Sequence, residues 1–359
     1  MARPLYINGR FLTRAVTGTQ RFAREIVWAL DAYVTAHGAD RDIILLAPEG
    51  TPTPEGLHVI KYRTCGSHQG HVWEQWDLYQ ASKDGTLLSL TNSGPILHSS
   101  QTVVIHDALV YRMPMDYALP YRLFHQTLGR ILARRARLVT VSAFSQVELA
   151  EIFHLDPQKI MVVYNGHEHI LAQGQDDGVL DRLGVAGRPF FLFVGSPAIR
   201  KNLNGAIEAF RALGRDDMAF VIVGAANARV FSGAVGELPA NVIRAGYLND
   251  AEIIALYRHA LALVFPSLYE GFGIPPLEAM ALGCPALVGR IPPVEEVCGD
   301  AALYYDPHDP SAIAQSMRDC LEGRIDLAAI KSRAQTRVPL FSWAQGAIKI
   351  WEDFCQRDV

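Results

Sequence analysis

Short apolar runs alternate with helical patterns along most of the chain, a pattern typical of parallel sheets with crossover helices. The first series of strand candidates comprises 4–8, 42–47, 86–90, 102–106, 137–142 and 159–165, with helix candidates such as 21–36 and 121–135 between them. The second series comprises 189–195, 219–224, 262–267, 285–289 and 301–305. The pattern therefore predicts an α/β protein with two Rossmann-like domains that face each other across a cleft.

A polar, glycine-rich tract at 172–188 separates the two series and is the best linker candidate. At 359 residues, each half is long enough to bury its own core. The tail at 341–356 has the pattern of a closing helix.

Composition narrows the partners that the chain can have. Half of the residues are hydrophobic, 19% are charged and the net charge is −4, which argues against a nucleic-acid partner. The five cysteines are widely spaced without metal-binding spacing, as expected for reduced cytosolic thiols. We expect a cytoplasmic protein, because no apolar leader or membrane-spanning run is present in the sequence.

The stretch SLYEGFGIPPLEAMALG, 267–283, predicts a strand end, a glycine-rich loop and a short helix. Glu270 would follow the strand, and Glu278 would lie in the first helical turn. A helix start offers unpaired N–H groups and the positive end of a dipole. Two carboxylates beside such a helix start suit a sugar phosphate. Neither half carries a GxGxxG fingerprint, so a dehydrogenase is disfavoured.

Two longer segments, FVGSPAIRKNLNGAIEAF and VFPSLYEGFGIPPLEAMALGCPALVG, resemble family 4 of the retaining glycosyltransferases, and the two glutamates match its E-x7-E motif. VTGTQRFAREI and VVIHDALVYRMP are similar to its N-terminal motifs. The resemblance implies the GT-B fold, with a C-terminal helix that crosses back to the first domain. It gives 1–171 plus 342–359 as the acceptor-binding domain and 172–341 as the donor-binding domain.

The resemblance implies that Arg200 and Lys201 neutralise the donor diphosphate. They follow a strand and precede a helix that Asn202 could cap. The alternative is a solvated basic pair, which is an unfavourable arrangement at a helix start. Glu278 would accept hydrogen bonds from the ribose hydroxyls, or would simply complement the helix dipole.

Glu270 would hold the donor sugar hydroxyls, or would be a solvated loop carboxylate. The resemblance adds a donor-binding set from the same stretch, namely Gly271, Phe272, Gly273, Ile274 and Leu277.

In the first half, the resemblance places Gly18 against the diphosphate and His106 beside the transferred sugar, which makes His106 a catalytic candidate with Glu270, Arg200 and Lys201. Gly18 could instead have only a local role, since Thr17 and Gln20 fit a capping box. His106 could be structural. The segments 73–78 and 91–95 are predicted loops that could touch an acceptor, although Trp73 and Trp76 could equally be core residues.

The predicted helix 121–138 carries arginines at 122, 130, 134, 135 and 137. It could make weak peripheral contact with anionic lipid on the inner face of the cell membrane. A buried helix with a solvated basic face is the alternative.

The resemblance implies a retaining enzyme that moves a hexose, from GDP-mannose or GDP-rhamnose, to a lipid-linked or growing polysaccharide such as lipopolysaccharide. We expect no metal and no cofactor beyond the nucleotide sugar, because Arg200, Lys201 and the helix start after Pro276 would carry the leaving-group charge. A GT-B epimerase or hydrolase and a non-catalytic glycan-assembly protein are the alternatives.

Overall fold

The computed structural model describes residues 3–196, 198–224 and 238–357. It contains two compact units, Met1–Gly166 with Ser342–Val359 and His167–Phe341. The chain thus enters the second unit five residues earlier than the sequence pattern indicated, and 167–171 belongs to the second unit.

The first unit is built on a parallel sheet in the order β3-β2-β1-β4-β5-β6-β7. Its strands are β1 (Leu5–Asn8), β2 (Ile43–Ala47), β3 (Lys61–Thr64), β4 (Thr86–Ser89), β5 (Gln101–Val104), β6 (Arg137–Thr140) and β7 (Ile160–Val162). Ile7 of β1 lies between Leu45 of β2 and Leu88 of β4. The strand order therefore reverses between β1 and β4, where open α/β sheets bind ligands at the carboxyl ends of their strands.

The described helices of the first unit cover both predicted helical segments and one predicted loop. They are α1 (Gly18–His37), α2 (Gly70–Trp73), α3 (Tyr79–Ser82), α4 (Leu109–Arg112), α5 (Leu119–Arg135) and α6 (Ala143–Phe153), with a π-helical turn at Glu74–Leu78 and 3-10 turns at Gly9–Thr13, Pro114–Asp116 and Pro157–Lys159. The loop prediction for 73–78 is wrong, because this segment is helical throughout. Trp73 is fully buried, whereas Trp76 is 58% exposed.

The C-terminal helix (Trp343–Arg357), which we number α15, packs against α1 within the first unit. Gly346 allows this close approach, because a Cβ atom there would lie 3.1 Å from Cδ1 of Ile26 on α1 and 2.9 Å from Cγ1 of Val163. The predicted return of the last helix to the first domain is confirmed.

The second unit has a parallel sheet in the order β10-β9-β8-β11-β12-β13, which reverses between β8 and β11. The strands are β8 (Phe190–Val194), β9 (Ala219–Val223), β10 (Val242–Gly246), β11 (Ala262–Phe265), β12 (Ala286–Gly289) and β13 (Leu303–Tyr305). Aromatic side chains of β8 and β9, among them Phe191 and Phe220, form its core with the helices on one face.

Its described helices include one inside the predicted linker. They are α7 (Glu168–Leu171), α8 (Gly178–Arg182), α9 (Leu203–Arg211), α10 (Asp250–His259), α11 (Ile274–Ala281), α12 (Pro292–Cys298), α13 (Pro310–Leu321) and α14 (Leu327–Arg337), with 3-10 turns at Ile199–Lys201 and Val338–Leu340. Val179 and Leu180 of α8 are buried, and α8 packs on α10. The tract 172–188 is therefore part of the second unit and not a free linker.

Across the described residues, no helix combines the length and the apolar character needed to cross a bilayer.

Candidate functional site

The reversal of strand order in the second unit brings three predicted site residues together. Arg200 and Lys201 form the 3-10 turn that follows β8, and Glu270 lies in the loop after β11. The backbone N–H of Leu268 donates to the Arg200 carbonyl at 2.7 Å, which joins the turn to the loop. The juxtaposition therefore follows from the sheet topology.

Lys201 and Glu270 form a buried ion pair. Nζ of Lys201 donates to Oε1 of Glu270 at 2.6 Å, and Nη1 of Arg200 lies 3.7 Å from Oε2. Lys201 and Glu270 are only 9% and 8% exposed. Burial alone would raise the pKa of Glu270, but the charges of Lys201 and Arg200 outweigh it and hold that pKa below its usual value. The interpretation of Glu270 as a solvated loop carboxylate is therefore wrong.

The three side chains together carry one net positive charge, with Lys201 and Glu270 buried and Arg200 partly buried. Nη1 of Arg200 is shielded from solvent and has no hydrogen-bond acceptor in the described part of the chain. A buried, unsatisfied donor is costly, and a buried net charge more so. This corner of the sheet is thus suited to an anion.

The loop 271–274 can contact a ligand mainly through its backbone. Gly273 has φ +122°, which other residues rarely adopt, and it directly precedes α11. The Phe272 ring is buried against Phe341, with ring centroids 5.7 Å apart, and Leu277 is fully buried. Ile274 opens the helix. The side chains of Phe272 and Leu277 are therefore core residues.

Glu278 is the fifth residue of α11, one or two positions further along than predicted, because the helix begins at Ile274 and not at the prolines. Its Oε1 accepts a hydrogen bond from Nε2 of His169 at 3.0 Å, and its Oε2 accepts one from the Tyr257 hydroxyl at 3.1 Å. Sequence reasoning missed both partners. His169 lies 109 residues from Glu278, and Tyr257 occupies an apolar position of α10, so no spacing pattern marks either one.

Asn202 does not cap α9, which corrects the sequence prediction. It adopts a left-handed conformation with φ 51°, and its side chain makes no capping hydrogen bond. The amide instead donates to the Pro307 carbonyl at 2.6 Å. This bond ties the basic turn to the loop after β13.

At the reversal point of the first unit, Glu74 is completely buried among polar groups. Its Oε1 accepts from Asn8 at 2.7 Å and from Ser93 at 2.9 Å, and lies 3.4 Å from Nε of Arg10. Its Oε2 lies 3.1 Å from Nδ1 of His71. Burial would raise the pKa of Glu74, but its bond with His71 and the charge of Arg10 hold that pKa below its usual value. This network was not predicted.

His106 follows β5 in the first unit and is buried. Its Nε2 lies 2.9 Å from the Leu90 carbonyl, which can only accept, so Nε2 carries the proton. Burial lowers the pKa of His106 to about 4. The imidazole is therefore neutral near pH 7, with Nδ1 as an acceptor.

Gly18 is the exposed first residue of α1, and Phe22, one turn later, packs edge-on against His106 with centroids 4.9 Å apart. The helix that begins at Gly18 thus packs against His106 through Phe22. The capping box does not form: Thr17 makes no side-chain cap, and its hydroxyl contacts Oε1 of Gln20 instead.

The chain contains one Asp-x-Asp triplet, Asp40-Arg41-Asp42, just before β2. Asp40 is paired with Arg41 at 2.8 Å, and Asp42 with Lys61 at 2.7 Å. It lies at the amino end of its strand, whereas ligands of such sheets bind at the carboxyl ends. Metal independence is therefore expected from the charges of Arg200 and Lys201 and not from the absence of such a triplet.

Helix α5 ends at Arg135, so Arg137 and Leu138, predicted as helical, belong to β6. Its C-terminal half buries Leu128 and Leu132, while Leu119, Leu123 and Phe124 in the N-terminal half are 43–54% exposed. Arg130, Arg134 and Arg135 are also exposed. The helix therefore presents both apolar and basic side chains to solvent.

A family model described as "Glycosyl transferases group 1" matches residues 182–337, which is most of the second unit. The residues of the ion cluster from Arg200 to Glu270, and Glu278, all lie within this matched range.

Curated relatives extend the similarity into the first unit. O-antigen chain mannosyltransferase B of Escherichia coli is 28% identical over 253 residues, which cover 66% of this chain and 65% of the relative. O-antigen chain mannosyltransferase RfbU of Salmonella typhimurium is 27% identical over 229 residues, 63% and 62% of the two chains. The matches thus span a little under two thirds of each relative.

Solved structures show the fold of the whole chain. HepE of Anabaena in complex with UDP-glucose superposes with a TM-score of 0.74 and 18% identity, covering 99% of this chain and 100% of that one. WaaG, a glycosyltransferase involved in lipopolysaccharide biosynthesis, gives 0.71 and 18%, covering 97% and 99%. The chain has the GT-B fold of these neighbours, as predicted.

Proposed function

We propose that the protein transfers a hexosyl group from a nucleoside diphosphate sugar to a glycan acceptor with retention of configuration. One observation carries this proposal: the cluster of Arg200, Lys201 and Glu270 has an excess positive charge, and among the described residues Nη1 of Arg200 has no hydrogen-bond acceptor. A diphosphate supplies both the negative charge and the acceptor oxygens that the cluster lacks.

In this proposal each residue has a defined task. Arg200 and Lys201 bind the diphosphate and stabilise the leaving-group charge. Glu278 accepts hydrogen bonds from the ribose. Glu270 and the backbone of 271–274 orient the donor sugar, while Gly18 and His106 contribute from the first unit, which takes the acceptor.

For the substrates we propose GDP-mannose or GDP-rhamnose as donor and a lipid-linked or growing bacterial polysaccharide as acceptor. The relatives named as O-antigen mannosyltransferases support a mannosyl donor. HepE binds UDP and UDP-glucose, so UDP-sugars must be tested beside GDP-sugars. We place the enzyme in the cytoplasm, with weak peripheral contact at the membrane through α5.

Retention is proposed to proceed without a glycosyl-enzyme. A double displacement needs a carboxylate that can attack the anomeric carbon. Glu270 is engaged by Lys201, and both oxygens of Glu278 already accept hydrogen bonds. In the alternative, the acceptor hydroxyl attacks from the face that the diphosphate leaves, its proton passes to the departing phosphate oxygen, and the glycosidic bond forms as the sugar–phosphate bond breaks.

The deciding experiment has two parts. A thermal-shift screen of GDP, UDP and ADP should identify one nucleotide that stabilises the fold by mass action. Incubation with the matching nucleotide sugar should then give a glycosylated product, with the donor's anomeric configuration by NMR, only when a glycan acceptor is present. Sugar release or epimerisation without acceptor would favour a hydrolase or epimerase, and binding without turnover a non-catalytic role. An inverted product would refute retention.

A divalent ion is not part of the proposed chemistry, since Arg200 and Lys201 supply positive charge at the leaving group. Activity should persist in excess EDTA. A loss that added magnesium or manganese reverses would refute metal independence.

A further inference from the structure

Glu278 is held at both ends of its carboxylate before any ligand arrives. We propose that His169 and Tyr257 are positioning residues that orient Glu278 for the two ribose hydroxyls of the donor. This inference rests on the proposed function, and it assigns two residues to the same site.

The hydrogen bonds leave Glu278 with usable acceptor capacity. Nε2 of His169 donates to one oxygen at 3.0 Å and the Tyr257 hydroxyl donates to the other at 3.1 Å. Each carboxylate oxygen has two lone pairs, so one acceptor site on each oxygen remains for a ligand. Vicinal ribose hydroxyls need two acceptors side by side, which a carboxylate of fixed orientation provides.

Without these donors, the carboxylate would be free to rotate. The last side-chain torsion of a glutamate, χ3, has a broad distribution of angles, because it lacks the three staggered energy minima of a bond between two tetrahedral carbons. The His169 side chain is 2% exposed and Tyr257 is fully buried, so both donors are themselves fixed by packing. Burial, together with the Glu278 charge, raises the pKa of Tyr257 well above its usual value, so the hydroxyl keeps its proton.

The positioning contacts connect three helices of the second unit. His169 lies on α7, the first helix after the chain enters this unit, Tyr257 on α10 and Glu278 on α11. The Tyr257 hydroxyl also lies 3.3 Å from the Pro275 carbonyl in the first turn of α11. The orientation of Glu278 thus depends on residues far from it in sequence, and a merely structural role for them must be distinguished by experiment.

The distinguishing measurement is the affinity for nucleotides with and without ribose hydroxyls. Calorimetric titration would compare GDP and UDP with their 2′,3′-dideoxy counterparts. For whichever base the wild type binds, Tyr257→Phe and His169→Ala should weaken the ribonucleotide about tenfold, the scale of one hydrogen bond to a charged group. Binding of the dideoxynucleotide should not change. Glu278→Ala should abolish the preference for the ribonucleotide.

Two further variants sharpen the result. His169→Gln keeps an N–H donor near the Nε2 position and should restore most of the ribonucleotide affinity. Tyr305→Phe is the matched control, because it also removes a buried hydroxyl from the second unit, where it donates to the Leu287 carbonyl at 3.2 Å. It should leave both affinities unchanged.

Equal weakening of both nucleotides by Tyr257→Phe and His169→Ala, or no weakening of the ribonucleotide, would overturn the inference while leaving the proposed function standing. A wild type that binds ribo- and dideoxynucleotides equally would overturn it as well. A wild type that binds no nucleoside diphosphate would refute the proposed function, and this inference with it.

Discussion

In each unit, charged side chains gather where the strand order reverses, after β1 and β4 in the first unit and after β8 and β11 in the second. The charges are balanced differently. In the first unit one carboxylate, Glu74, is matched with one guanidinium, Arg10, and is further bonded to neutral donors. In the second unit Arg200 and Lys201 share the single carboxylate of Glu270.

This difference in charge balance indicates which kind of ligand each cluster can bind. A satisfied, charge-balanced network holds its own side chains in place and has little need of an ionic ligand. A cluster with an excess cation and an unused donor remains incomplete until an anion binds. The comparison thus supports the proposal that the donor diphosphate binds to the second unit and the acceptor to the first.

The largest effect should come from the cation that balances Glu270. Lys201→Met should lower turnover at saturating donor by roughly 10²-fold or more, the scale of one preorganised transition-state donor. It should also destabilise the fold, because Glu270 stays buried with only Arg200 beside it. Steady-state kinetics and chemical denaturation measure the two effects.

A double variant separates these effects. Lys201→Met with Glu270→Gln removes both charges and should recover stability but not turnover. Lys331→Met, at an exposed lysine of α14, serves as the control. Near-normal turnover in the double variant would disprove the role of Lys201.

In the first unit, Glu74→Gln should lower the stability of the fold and leave the affinity for the donor unchanged. The variant weakens several hydrogen bonds to a buried charge and should lower the free energy of unfolding by about 1–3 kcal/mol, with donor KM unchanged. Because the pKa of Glu74 is lowered below 4.5 on folding, the unfolded state takes up the proton first as pH falls. The difference in unfolding free energy between wild type and Glu74→Gln should be full above the unfolded-state pKa of 4.5. It should shrink as pH falls through the lower folded-state pKa of Glu74. A raised donor KM in Glu74→Gln would contradict the proposal that the donor binds to the second unit alone.

His106 should contribute no titration to the pH–rate profile near neutrality. Its pKa of about 4 keeps the imidazole neutral between pH 5 and 8, so it cannot act there as a protonated acid. Profiles of kcat/KM for wild type and His106→Gln should therefore run parallel over this range, even if the variant is slower. An inflection near pH 6.5 present only in the wild type would contradict this assignment.

Local sequence patterns predicted the elements whose signal is apolar and buried. The strand candidates around β8 and β11 placed Arg200, Lys201 and Glu270 at adjacent strand ends, and the structure brings them together. Two strands, β3 and β10, were missed, because their sequences, KYRT and VIRAG, contain charged residues and no continuous apolar run. Edge position alone is not the reason, since the edge strands β7 and β13 were predicted.

The parts of the site that escaped prediction depend on distant contacts. Glu74, His169 and Tyr257 each find a partner on another element, so nothing in their local sequence indicates a role. The position of Glu278 within its helix was misjudged by one or two residues, since the two prolines suggested a later helix start than Ile274. Tertiary packing, and not local propensity, decides these features.

The smallest effect on turnover and stability is expected from the membrane contact proposed for α5. Its basic side chains are exposed on the surface, unlike those of the two clusters at the strand ends. Leu123 and Arg130 are seven residues apart, hence on the same face of the helix, and both are exposed. Co-sedimentation with liposomes should require anionic lipid and fade with salt, because the attraction is screened beyond about 10 Å at 0.1 M.

Arg134→Gln with Arg135→Gln should weaken liposome binding by roughly thirtyfold, at about 1 kcal/mol per arginine, and Leu123→Ser should weaken it further. Leu340→Ser, which removes another exposed leucine in the second unit, should have no effect. Binding that ignores lipid charge and salt, or that survives all of the α5 substitutions, would exclude α5 as the contact.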